Sequence, residues 1–267
     1  EYKNTLNYKN NNPIAFFDSG VGGLTVFQKV KKILPQENYL YFGDTKNMPY
    51  GEKSEKQLIE FADRIFKFFE KQNAKAVVMA CNTTSAITYE KLKYNYNFKI
   101  YPIIQTVCST LAGLDGVKSL GVIATPATIN SHAYSKGIAK YNKDMKVYEL
   151  AAPNWVRIVE EHRIHQPQSI EQIKEILEVM KENNPDKIVL ACTHYPYLLD
   201  VLKKFLPEDK YIDPAIFFAQ SIKNDLEKNN LLGKEPTYER FYVSSDPENF
   251  KIASELFYKL DILPELV

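Results

Sequence analysis

The sequence predicts an α/β protein made of two pseudo-symmetric α/β domains with mostly parallel sheets, and three observations carry that expectation. Short apolar runs rich in Val, Ile, Phe and Tyr alternate with longer amphipathic segments, which is the pattern of repeated βα units. Turn or polar residues follow most of the runs, at the strand ends where open parallel sheets collect their ligands. The chain also echoes itself: Val77-Val78-Met79-Ala80-Cys81-Asn82-Thr83 resembles Ile188-Val189-Leu190-Ala191-Cys192-Thr193-His194, as two similar halves require.

The runs expected as strands are Ile14–Phe17, Tyr39–Phe42, Ala76–Ala80, Ile100–Ile104, Leu120–Ala124, Lys146–Leu150 and Lys187–Ala191. Between them, Glu55–Gln72 and Ser169–Asn183 carry apolar residues every three to four positions; Leu58, Ile59, Ala62, Ile65, Phe66 and Phe69 form one such stripe. That spacing predicts helices with one buried face. A second matching pair precedes the cysteines. Ile14–Ser19 runs a strand into Asp-Ser, and Leu120–Thr125 runs one into Ala-Thr, at similar distances from Cys81 and Cys192. The expected division is a first domain over residues 13–107 plus 215–267 and a second over 108–214, with a cleft between them. The chain after about Pro214 matches neither repeat and is expected to pack on the first half.

At 267 residues the chain is long enough for two domains. A formal net charge of +1 supplies no overall field to attract nucleic acid or an anionic membrane. No run of about 18 apolar residues marks a membrane span. The polar, asparagine-rich stretch from Glu1 to Asn12 lacks the apolar core of a signal peptide and is expected to be a disordered tail. Three cysteines are an odd number spread over a long chain. They do not suggest a disulfide framework, and the natural compartment is a reducing cytoplasm.

Cys81 and Cys192 each end an apolar run. A thiolate is the reactive form of cysteine, and a helix N-terminus following the strand is expected to lower the thiol pKa. A buried small hydrophobe is the ordinary reading of either cysteine alone, and it is the one given to Cys108. Metal binding by Cys81, Cys192 and His194 is a further alternative. No second ligand lies near Cys81, however, and the Cys-x-x-Cys spacing of zinc or redox sites is absent.

Two thiols facing each other across a cleft suit the inversion of a carbon, because one proton must leave one face as another arrives on the opposite face. Asp18 is a candidate to orient or activate the Cys81 side, though an Asp at a strand end is often only a helix cap. His194 is the matching candidate for Cys192. His132, His162 and His165 fall in helices or their flanks and are expected to be solvated. The developing carbanion needs hydrogen-bond donors at the α-carboxylate. Asn82, Thr83 and Thr193 stand beside the thiols, with Ser19, Thr125 and Thr128 as further candidates. Gly20-Val21-Gly22-Gly23 predicts a tight turn into a helix but matches neither a P-loop nor a dinucleotide fingerprint. The turn at Met48-Pro49-Tyr50-Gly51 could hold a second carboxylate or be a plain surface turn.

Taken in order, Phe17-Asp18-Ser19-Gly20-Val21-Gly22-Gly23-Leu24, Tyr50-Gly51, Ala80-Cys81-Asn82-Thr83 and Ala191-Cys192-Thr193-His194-Tyr195-Pro196 resemble the glutamate racemases of bacterial cell-wall synthesis, in the aspartate/glutamate racemase family. Val243–Phe250 is similar to the family's late segment. The resemblance implies the family's two-domain fold, with the active site in the cleft between the domains, and cofactor-independent interconversion of L- and D-glutamate for peptidoglycan synthesis. It implies Cys81 as the base toward D-glutamate and Cys192 toward L-glutamate. It places Asp18, Ser19, Tyr50, Gly51, Asn82, Thr83, Thr193 and His194 at substrate contacts, with Glu160 near the cleft. No metal or cofactor is expected, and a homodimer is. Thr84, Ala152 and Gln105–Cys108 depart from the family pattern. Aspartate racemisation by the same chemistry, and non-catalytic amino-acid binding, are the alternative readings.

Overall fold

The computed structural model describes residues 10–234 and 238–267. Its strands are β1 (Ile14–Asp18), β2 (Tyr39–Gly43), β3 (Ala76–Met79), β4 (Lys99–Pro102), β5 (Ser119–Ala124), β6 (Lys146–Ala151), β7 (Lys187–Leu190), β8 (Tyr211–Ile212), β9 (Glu239–Val243) and β10 (Glu265–Leu266). They form two sheets, ordered β10-β9-β2-β1-β3-β4 and β6-β5-β7-β8. All the pairings are parallel, so the α/β class with parallel sheets holds.

The first sheet is buried on both faces, and strand alternation shows why its runs are continuously apolar. Ile14, Phe16, Tyr39, Tyr41 and Val78 join one core. Their neighbours Ala15, Phe17, Leu40, Phe42 and Val77 join the other. Helix Glu55–Lys71 covers the second face with the stripe Leu58, Ala62, Ile65, Phe66 and Phe69. Its start is set by a capping box: Ser54 Oγ accepts from the Gln57 amide, and Gln57 Oε1 accepts from the Ser54 amide. The other face continues through helices Leu24–Ile33 and Pro214–Lys228 into the core of the second sheet.

The structure differs from the expected elements where the local chemistry changes. The run Ile100–Ile104 stops as a strand at Pro102, and Ile103 opens helix Ile103–Ala112. The expected domain boundary at 107/108 falls inside that helix. Residues after Pro214 return to the first sheet, where β9 pairs with β2 along its length. The tail expected over residues 1–12 lies outside the described residues as far as residue 9, and its end is not loose. Asn10 Nδ2 donates to the Asn230 carbonyl at 3.1 Å, and the Asn11 carbonyl accepts from Asn38 Nδ2 at 2.7 Å. The buried Lys75 Nζ donates to the carbonyls of Asn10 and Leu231 and pairs with Glu37, itself fully buried. A lysine so enclosed needs these acceptors to offset its desolvation. Among the described residues no helix is long and apolar enough to cross a membrane.

Candidate active site

The carboxyl ends of the two sheets meet around one cavity. Its empty volume is about 670 Å³, the open solvent at its mouth included. β3 delivers Cys81, which caps helix Asn82–Leu92, and β7 delivers Cys192; both line the cavity and are 7% and 8% exposed. Ser19, from the loop after β1, and Asn82 and Thr83, from the start of that helix, line it from the first sheet's side. Thr125, Thr193 and His194 line it from the second. The Tyr50–Glu52 turn follows a cis Met48–Pro49 peptide and forms another wall. Asp18 and Thr128 stand behind the lining. Asp18 is fully buried, and Thr128 accepts from the Thr125 hydroxyl at 3.2 Å. Cys108 is fully buried in helix Ile103–Ala112, away from the cavity. His132, His162 and His165 are exposed, as expected.

The two sides touch closely because of Gly22. A Cβ there would lie 2.4 Å from Thr193 Oγ1 and 2.6 Å from the His194 ring. Only a residue without a side chain lets the loop after β1 close against the loop after β7. Further contacts cross the cleft. Thr83 Oγ1 and Thr125 Oγ1 are 2.8 Å apart. Arg157 Nη2 and Glu52 Oε1 pair at 2.7 Å across its mouth, about half exposed on each side.

The electrostatics separate the two thiols. The helix N-terminus was expected to lower the Cys81 thiol, and the structure corrects this. Burial, then the nearby charge of Asp18, push it up to about 12, and hydrogen bonding from Thr84 only partly offsets them. Cys192, unlike Cys81, does not open an α-helix; a short 3₁₀ turn, Tyr195–Leu198, follows it. His194 Nδ1 lies 3.8 Å from Cys192 Sγ, and Nε2 is hydrogen-bonded to Glu160. Burial alone would lower the imidazole pKa. Glu160 and the hydrogen bond to Cys192 outweigh it and hold the ring well above its usual value. Burial raises the Asp18 carboxyl, against the opposing charge of His194 and the Gly20 and Gly23 amides, and Oδ1 finds no partner among the described residues.

Groups that sequence reasoning did not single out support the walls. Asp44, fully buried after β2, accepts from the Tyr50 hydroxyl at 2.5 Å, Ser244 Oγ at 2.6 Å and Arg64 Nη2 at 3.1 Å. Its position just beyond an apolar run is the signal that located Asp18, and it would have located Asp44 too. Glu52, Arg157 and Tyr134 gave no such signal, because their partners are far away in sequence. Among the described residues no three His, Cys, Asp or Glu side chains gather as a metal site requires.

Comparison with known proteins agrees with this fold. A profile of the Asp/Glu/Hydantoin racemase family matches residues 22–222. The chain is 39% identical to the glutamate racemase of Thermoanaerobacter sp. (strain X514) over 91% of its own length and 92% of that protein's. It superposes on the glutamate racemase of Francisella tularensis, solved with D-glutamate, with a TM-score of 0.88 and 35% identity, covering 97% of this chain and 98% of that one. The Bacillus anthracis glutamate racemase gives a TM-score of 0.89 at 29% identity, covering 97% of each chain.

Proposed function

The chain belongs to the aspartate/glutamate racemase family, and from that premise we propose how it interconverts L- and D-glutamate: Cys81 and Cys192 act as opposed acid and base without a cofactor. The observation that carries this reading is the arrival of two thiols in one cavity from the ends of two different sheets. The electrostatics support an unequal resting state. A thiol raised to about 12 keeps its proton at neutral pH, so Cys81 rests as the acid. Cys192, whose sulfur lies 3.8 Å from the imidazole Nδ1 of His194, is the base toward L-glutamate. In that state Cys192 takes the α-proton of L-glutamate and Cys81 delivers its own proton to the opposite face. The D-to-L reaction runs through the reversed pair.

In this reading Asn82, Thr83, Thr193 and Ser19 donate to the substrate's carboxylates, and so do the amides of the Tyr50-Gly51 turn. These donors stabilise the charge that develops as the α-proton leaves. Asp18 and His194 orient the Cys81 and Cys192 sides, and Thr128 acts through Thr125. Residues 13–107 plus 215–267 and residues 108–214 form two domains that close on the substrate. The product serves peptidoglycan synthesis in the cytoplasm, a compartment that suits three unpaired cysteines. The assembly is a homodimer, which sedimentation velocity tests.

Loss of the circular dichroism signal of L-glutamate, without pyridoxal phosphate or metal, tests the reaction; α-proton exchange in heavy water separates it from simple binding. Cys81→Ser and Cys192→Ser are each expected to slow racemisation by more than about a hundredfold, the order assigned to a positioned acid or base. A near-normal rate in either variant overturns the two-thiol mechanism.

A further inference from the structure

Asn82 is the residue after Cys81 and lines the cavity, yet its side chain is only half satisfied. Its Oδ1 accepts a hydrogen bond of 2.5 Å from the hydroxyl of Tyr134, while its Nδ2 is buried and has no partner among the described residues. Tyr134 comes from the other side of the cleft: it lies in helix Ala133–Ala139, which follows β5 of the second sheet, and it is 1% exposed. An asparagine amide can turn end for end, offering either an acceptor or two donors. The tyrosine decides which end the cavity meets. From this arrangement we infer that Tyr134 is a positioning residue that locks the Asn82 amide with its NH₂ turned to the substrate, so that the site offers a donor to a carboxylate.

The lock rests on the reading of this cavity as the glutamate site. Two observations fix its direction. A phenol so deeply buried keeps its proton, because burial raises its pKa well above the usual value and the nearby cysteines add to that. It therefore remains able to donate at any working pH. The unpartnered Nδ2 is the second observation, since a buried donor left without an acceptor is destabilising unless a ligand supplies one. The hydrogen bond also joins the two sides of the cleft. The donor is in place only when the second sheet's helix has closed on the first sheet's strand end, so closure and recognition of the carboxylate are coupled.

Tyr134→Phe removes the hydroxyl and keeps the ring in its pocket. The expected result is a KM for glutamate raised about tenfold in both directions, the worth of one well-placed hydrogen bond, with kcat falling as well because the same donor stabilises the developing charge. In an Asn82→Ala background the same change is expected to add nothing, because the tyrosine then has no amide to hold. An unchanged KM, or effects that multiply across the two substitutions, overturns the inference. Should Tyr134→Phe fail to fold, Asn82→Asp decides alone. It leaves an acceptor for the Tyr134 hydroxyl but replaces the donor facing the substrate with a second oxygen. KM is then expected to rise more than tenfold, about the worth of a lost charge-assisted hydrogen bond, and an unchanged or lower KM shows that the amide was turned the other way. Racemisation by the parent chain is measured alongside. Its absence defeats the glutamate reading, whereas its presence with an unmoved KM defeats only the lock.

Discussion

Cys81 and Cys192 are almost equally enclosed, at 7% and 8% exposure, so access does not separate them as nucleophiles. Their surroundings do. Burial and Asp18 hold Cys81 as a thiol, and the Cys192 sulfur faces the imidazole of His194. Since the thiolate is the species that reacts, iodoacetamide near neutral pH is expected to label Cys192 before Cys81. Peptide mass spectrometry over a time course measures the order, and equal labelling removes the proposed asymmetry. His194 makes a second prediction at this scale. Its native pKa lies above the usual value, so the folded state holds its proton more tightly than the unfolded chain does. The stability this contributes is complete below about pH 6.5, the unfolded value, and is lost as the pH rises through the native one. The difference in melting temperature between the parent and His194→Gln is therefore expected to be greatest near pH 6 and to shrink as the pH rises. A difference that widens with pH refutes the ion pair with Glu160.

The turn between β1 and helix Leu24–Ile33 shows how a short element controls a distant contact. Gly22→Ala places a methyl group 2.4 Å from Thr193 Oγ1 and 2.6 Å from the ring of His194. Relief requires the two loops to separate, at about 1–3 kcal/mol of stability. Racemisation is expected to fall by more than about tenfold, because small displacements of reacting groups are costly. Coupled-enzyme kinetics and thermal melts check the two effects together. The glycine run itself was legible in the sequence as a tight turn, and so were both cysteines, since a run ending in Ala-Cys is a local pattern. Helix Glu55–Lys71 was legible to within a residue because its apolar stripe is local too. What stayed hidden was set by partners far along the chain. Tyr134 finds Asn82 across 52 residues and Arg157 finds Glu52 across 105. The strands β8 and β10 have two residues each, too few to show a period. The thiol of Cys81 was misjudged because a helix N-terminus can be read from sequence, while the depth of burial that outweighs it cannot.

Across the whole molecule the cleft is held by a few contacts of very different strength. The Arg157–Glu52 pair at the mouth is about half exposed, and such pairs contribute only about 0–1 kcal/mol. Glu52→Gln is therefore expected to move the melting temperature by no more than about 2–4 °C, the shift that 1 kcal/mol makes in a chain of this size. Its effect belongs to substrate entry. With the carboxylate gone, Arg157 is left free beside the opening, and an anionic substrate meets a more favourable field. KM for glutamate is expected to fall by about twofold at low ionic strength, with the difference vanishing in about 0.5 M salt as screening shortens the reach of charge. Steady-state kinetics at two salt concentrations decide, and a KM that rises at low salt is the contrary result.

The return of the chain to the first sheet has a consequence for the order in which a ribosome can build this protein. The strands of the second sheet, β5 to β8, come from one uninterrupted stretch, Ser119 to Ile212. The first sheet is different: β2 lies between β1 and β9, and β9 begins only at Glu239. During synthesis the later half of the structure can be finished while the earlier half still has an open strand edge, reversing the usual amino-to-carboxyl sequence of maturation. An open edge is a hazard for a nascent chain. Until the final strands emerge, that edge of β2 has no neighbour, and Asp44 beside it lacks the Ser244 hydroxyl that helps hold the Tyr50 turn in place.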